Sequence, residues 1–107
     1  MTRDELTAKI IATKRAKGLS WKTIVGEIGG GSAVYLTAAL LGQMKLRPEQ
    51  AERAAKLFGL DRDETLLLQE IPYRGSLPSI PPTDPVIYRF FEVLQVYGTT
   101  WKQLIQE

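Results

Sequence analysis

The stretch Ser20 to Gly42, SWKTIVGEIGGGSAVYLTAALLG, decides the fold. Ser20 stands where a helix N-cap belongs, because its hydroxyl can accept a first-turn amide that has no partner inside the helix. Trp21, Ile24, Val25 and Ile28 follow at i, i+3, i+4 and i+7, the spacing that lays one apolar stripe along a helix. Gly29, Gly30 and Gly31 break the period, and Ser32 caps a further helix running through Leu41 to Gly42. Helix, glycine turn, helix at this spacing predicts a pair of the helix-turn-helix type.

Toward the N-terminus, Thr2 and Glu5 form a capping box ahead of Leu6, Ile10 and Ile11. Lys14, Arg15 and Lys17 occupy the last turn, where cations suit the negative end of the helix dipole, and Gly18 ends it. In the other direction, Pro48 after Arg47 opens a fourth helix whose Ala51, Ala54, Ala55 and Phe58 permit close packing before Gly59. Asp61 with Glu64 is a second capping box, opening a short fifth helix through Leu66, Leu67, Leu68 and Gln69. Residues 1–71 therefore predict a bundle of five short helices. Residues 72–84 hold Pro72, Pro78, Pro81 and Pro82 and predict an extended connector, with Tyr73 and Arg74 either solvated or touching a partner.

Residues 85–107 begin with Asp84 as N-cap and Pro85 as first helical residue. The pattern predicts a helix to Tyr97, a stop at Gly98 and a new helix capped by Thr100, with Trp101, Leu104 and Ile105 as its apolar positions. Ile87, Phe90, Phe91 and Leu94 predict one stripe against a core. The opposite face sets Arg89 and Glu92 among Tyr88, Val93 and Val96, which predicts a helix covered on both sides, most simply by another copy of the chain. Arg89 and Glu92, three apart, are neighbours on the helix surface. On spacing alone the pair reads as an ordinary i,i+3 ion pair, and a reading as site groups needs more than spacing.

The 107 residues amount to one domain's worth of chain, and the formal charge of +2 neither demands nor excludes an anionic partner. There is no cysteine and no histidine, so thiolate nucleophiles, imidazole bases, disulfides and Cys or His metal sites are excluded. No apolar run reaches membrane-spanning length and the N-terminus has no signal-type core, so the expectation is a cytoplasmic protein without membrane contact. A nucleic-acid reader needs Arg, Lys, Asn or Gln on its recognition helix, whereas AVYLTAALL offers only Tyr35 and Thr37. That helix is expected to be core. The glycine triplet lacks the Lys-Ser/Thr continuation of a phosphate loop.

Beyond spacing, the words PTDPVIYRFFEVLQVYGTTWKQL (Pro82 to Leu104) resemble the signature of the cyanases, also called cyanate hydratases or cyanate lyases. LTAALLGQ (Leu36 to Gln43) and LLLQEIPYRG (Leu66 to Gly75) have counterparts in the same family, so the resemblance spans nearly the whole chain; Phe91 stands where the family often has Tyr. The resemblance implies a mainly α fold, with a five-helix N-terminal bundle of lambda-repressor-like type, the proline-rich connector and a catalytic helix. It implies a lyase that decomposes cyanate with bicarbonate as co-substrate, through carbamate, to ammonia and carbon dioxide, using no metal or organic cofactor. It assigns the anion-holding role to Arg89 and the catalytic carboxylate to Glu92. It implies a homodecamer, a pentamer of dimers. In the family a strand-rich C-terminal segment interlocks two subunits and supplies a catalytic serine, and none of Ser20, Ser32, Ser76 or Ser79 stands in a matching context. Residues 85–107 are thus expected to be the first part of the catalytic domain, and this chain alone to turn over little or no cyanate. The other readings are a helix-turn-helix DNA binder and a silent oligomerising remnant of a cyanase.

Overall fold

A computed structural model describes residues 1–107 as six α-helices and no strand: α1 (Arg3–Lys17), α2 (Trp21–Ile28), α3 (Ala33–Leu40), α4 (Pro48–Phe58), α5 (Arg62–Leu67) and α6 (Pro85–Gln106). The chain divides into two compact units, Met1–Gly75 and Ser76–Glu107.

In the first unit the caps fall where the sequence puts them. The Thr2 hydroxyl accepts from the Glu5 amide while the Glu5 carboxylate accepts from the Thr2 amide, and Asp61 and Glu64 repeat the arrangement at α5. Gly18 and Gly59 end α1 and α4 in the left-handed region, where a side chain would be strained. The core is Leu6 and Ile10 from α1, Ile24 and Ile28 from α2, Leu36, Ala39 and Leu40 from α3, Ala51, Ala54 and Phe58 from α4, with Leu46 and Leu68 closing it. The burial of Leu36, Ala39 and Leu40 agrees with the reading of α3 as core, while Val34 near its start is exposed. Tyr35, its exposed aromatic, spends its hydroxyl on the Lys45 carbonyl at 2.8 Å.

The α2–α3 connection bends by 98°. Three side chains in one i, i+3, i+6 row near the start of α4 hold it there: Arg53 donates to the Ile28 carbonyl at 2.8 Å, Gln50 to the Gly29 carbonyl at 3.2 Å and Arg47 to the Gly30 carbonyl at 3.1 Å. These carbonyls have no helical partner, and α4 supplies one for each. The basic end of α1 behaves as a helix end: Lys14 lies 5.2 Å from the centre of the Trp21 ring and Lys17 donates to the Leu57 carbonyl at 2.8 Å.

The second unit corrects two expectations. Gly98 does not stop the helix; α6 runs unbroken for 22 residues, with Tyr97 and Trp101 stacked across the glycine at 6.0 Å between ring centres. Glycine inside a helix costs only about 1 kcal/mol, while restarting a helix at Thr100 would require a fresh nucleus. The stripe of Ile87, Phe90, Phe91 and Leu94 does not meet a core either. Ile87, Phe90 and Leu94 are exposed, Phe91 is half-buried, and α6 has no buried residue. No single helix is long and apolar enough to cross a membrane.

Candidate active site

Asp84 begins the site by fixing where α6 starts. One carboxylate oxygen accepts from the Val86 and Ile87 amides at 2.9 and 3.1 Å, and Pro85 contributes a fixed φ with no amide to satisfy. The register of the helix then places Arg89 and Glu92 one turn in and on adjoining positions. An Arg89 guanidinium nitrogen lies 3.9 Å from a Glu92 carboxylate oxygen, at side-chain exposures of 82% and 49%. At that separation the pair is electrostatic, without a directional hydrogen bond, so the donors of Arg89 and the lone pairs of Glu92 stay free for something else. A guanidinium presents a planar fork of N–H donors to a small oxyanion, and a carboxylate beside it can take up or release a proton.

Around the pair, α6 exposes Val93 and Val96 and, farther round, Phe90, Tyr97 and Ile105, so the guanidinium and the carboxylate sit on a largely apolar helix. Such a helix in contact with another surface would shed water from the pair and strengthen its fields. A hollow of about 340 Å³ on the first unit, lined by Thr2, Arg3, Gly42, Leu67, Glu70 and Ile71 among others, contains neither residue. Its Arg3 is committed to structure: it donates to Thr7 at 2.7 Å and to the carbonyls of Ala39 and Leu40 at 2.5 and 3.2 Å, and burial pulls its pKa below the ordinary value. No group of acidic side chains is gathered as metal ligands.

The three-residue row of α4 was not singled out by the sequence. Its signal, polar residues at Arg47, Gln50 and Arg53 on an otherwise alanine-rich helix, reads as solvent face until the partner carbonyls are known.

Comparison with known proteins gives these elements a family. Residues 3–72 match a family model described as cyanate hydratase, N-terminal, and residues 79–107 one described as cyanate lyase C-terminal domain. The chain is 50% identical over 107 residues to a cyanate hydratase of Albidiferax ferrireducens, covering 100% of this chain and 72% of that protein. To a cyanate hydratase of Mycobacteroides abscessus it is 53% identical over 106 residues, covering 99% and 67%. The fold matches the crystal structure of cyanase from T. urticae with a TM-score of 0.75 and 32% identity, over 90% of this chain and 67% of that one. With whole-chain identity at this level and both halves matched in order, this chain belongs to the cyanate hydratase family.

Proposed function

We propose that the chain acts as a cyanase, converting cyanate and bicarbonate through carbamate to ammonia and two molecules of carbon dioxide, with Arg89 and Glu92 as its site residues. The observation that carries this reading is the open Arg89–Glu92 pair on α6, inside the span matched by the cyanate lyase C-terminal domain. A bicarbonate oxygen adds to the cyanate carbon. The adduct loses carbon dioxide, leaving carbamate, and carbamate then releases ammonia and the second carbon dioxide. Bicarbonate brings one of the three ammonia protons, so two more must reach the nitrogen. Glu92 is the acid–base group placed to pass them. Both substrates are anions, and Arg89 neutralises charge that would otherwise hold them apart. Bicarbonate supplies the nucleophilic oxygen, which is consistent with a chain that has neither Cys nor His.

The same reading makes the protein a homo-oligomer, the family's decamer, acting in the cytoplasm without a metal or organic cofactor. Its support is α6, whose exposed Phe90, Leu94, Val96, Tyr97, Leu104 and Ile105 would be dehydrated by a second copy.

The experiment is bicarbonate-dependent ammonia release from cyanate, measured for the chain and for the chain joined to a relative's C-terminal segment. The joined form should be active, and Arg89→Lys or Glu92→Gln should lower its rate at least about a hundredfold. Activity that survives both substitutions would reduce the pair to a surface ion pair.

A further inference from the structure

We propose that the Lys9–Glu64 pair shields the bundle from the substrate itself: cyanate carbamoylates lysine amines, and Lys9, which links α1 to α5, is the lysine whose amine the fold withholds. This rests on the reading, given above, that cyanate is the substrate. A small part of any cyanate in water is isocyanic acid, HNCO. An amine lone pair adds to its carbon, an N–H proton passes to its nitrogen, and the side chain becomes a neutral urea; nothing leaves and no second reagent is consumed. With no cysteine or histidine to take the reagent, the seven lysines and the α-amino group are the targets. Arginine is spared, because a guanidinium keeps its proton at any ordinary pH. Arg89, proposed above to hold the anions, is therefore inert to them, and the single lysine of α6, Lys102, lies about 20 Å farther along the helix.

One lysine is bound unlike the rest. Lys9 Nζ donates to both oxygens of Glu64, at 2.8 and 2.9 Å, and no other lysine is paired with a carboxylate. Lys17 donates once, to the Leu57 carbonyl, and Lys14 lies over the Trp21 ring. Lys22, Lys45, Lys56 and Lys102 are exposed. To attack isocyanic acid, the Lys9 nitrogen has to shed a proton and turn its lone pair away from Glu64. The Glu64 side chain is only 4% exposed, so water cannot take the place of the ammonium, and a buried carboxylate left without its partner is costly. What holds the pair together thus also holds the reagent off. Modification there would matter more than elsewhere, because a neutral urea on Lys9 leaves the Glu64 charge unbalanced between α1 and α5, whereas a urea on Lys22 or Lys102 changes only exposed surface.

The test is to incubate the chain with excess potassium cyanate and no added bicarbonate, and to follow each lysine by peptide mass spectrometry. Lys9 should be carbamoylated at least about tenfold more slowly than Lys22, Lys45, Lys56 and Lys102. In Glu64→Gln, whose side-chain oxygen can still accept from the Asp61 amide, Lys9 should react as fast as those four. Gln50→Ala weakens the bundle without touching the pair, and at a temperature where circular dichroism shows both variants folded it should leave Lys9 slow. Lys9 reacting as fast as Lys22 in the unaltered chain overturns the proposal, and so does a Gln50→Ala chain that frees Lys9 as fully as Glu64→Gln does, since general opening would then set the rate. Thermal melts check the consequence: Lys9→Gln should lower the midpoint and Lys22→Gln should not, and an unchanged midpoint in Lys9→Gln would mean that nothing is protected. Labelling needs no turnover, so each of these outcomes stands whether or not the chain decomposes cyanate, and an active enzyme with an unshielded Lys9 would leave the proposed function intact.

Discussion

Glu64 shows how much one side chain can be asked to do in a small bundle. It is buried, closes the α5 capping box on the Asp61 amide at 2.9 Å, and takes the Lys9 ammonium on both oxygens at 2.8 and 2.9 Å, joining α5 to α1. The Lys9 hydrogen bonds foremost, then the Asp61 amide, hold its carboxyl below the usual value of 4.5; Glu5 is lowered likewise by the Thr2 backbone and hydroxyl. A carboxyl with a depressed folded pKa binds protons more readily when unfolded. Its stabilisation is therefore full above the unfolded value and is lost as pH falls through the folded one. Thermal melts should accordingly hold from neutral pH down to about 5 and then fall progressively below the ordinary carboxyl value of 4.5, and Glu64→Gln should flatten that fall. Gln50 gives a second residue-scale expectation. It is buried with its carbonyl oxygen on the Arg47 amide at 3.0 Å and its NH2 on Gly29, so Gln50→Ala strands two backbone groups. Urea unfolding should register a loss of about 1–3 kcal/mol. Sequence alone identified Glu64 as a cap and missed Lys9, because a contact between positions 9 and 64 has no local signal.

At the scale of elements, caps and apolar periods gave the first five helices, since the groups that start and stop a helix lie within a turn of its ends. Gly98 went against the pattern. Its φ stays out of the left-handed region that glycine adopts when it ends a helix, and a methyl group added there would meet nothing within 4 Å. Gly98→Ala should thus raise the helical ellipticity of the chain, with α6 firmer by about 1 kcal/mol. A drop in helicity would mean that glycine's freedom is needed at that point. Glycine's local preference was weaker than the continuity of the residues around it, which is why the stop signal misled.

For the whole molecule, the difference between the two units has a direct consequence. Met1–Gly75 holds every residue of the apolar core, from Leu6 to Leu68, whereas Ser76–Glu107 begins with proline-rich chain that is exposed apart from Ser79 and the buried Pro82, and continues in a helix that buries no residue. Limited proteolysis should cut first between residues 76 and 84 and leave a resistant fragment close to Met1–Gly75, identified by mass spectrometry. Early cleavage inside α2 or α4 would contradict the core described above. By itself the sequence determined the helices of the first unit, their caps and their inward faces, because these follow from periods and end groups read within about one turn. It also supplied the family, through long ordered words rather than through physics, and with it the expectation that Arg89 and Glu92 are a site. Only the tertiary structure decided that three α4 side chains hold the α2–α3 bend, that Lys9 meets Glu64, and that the apolar stripe of α6 faces outward. The physical reason is that amphipathic spacing states which side chains avoid water, while what they meet instead is set by segments far away in the chain.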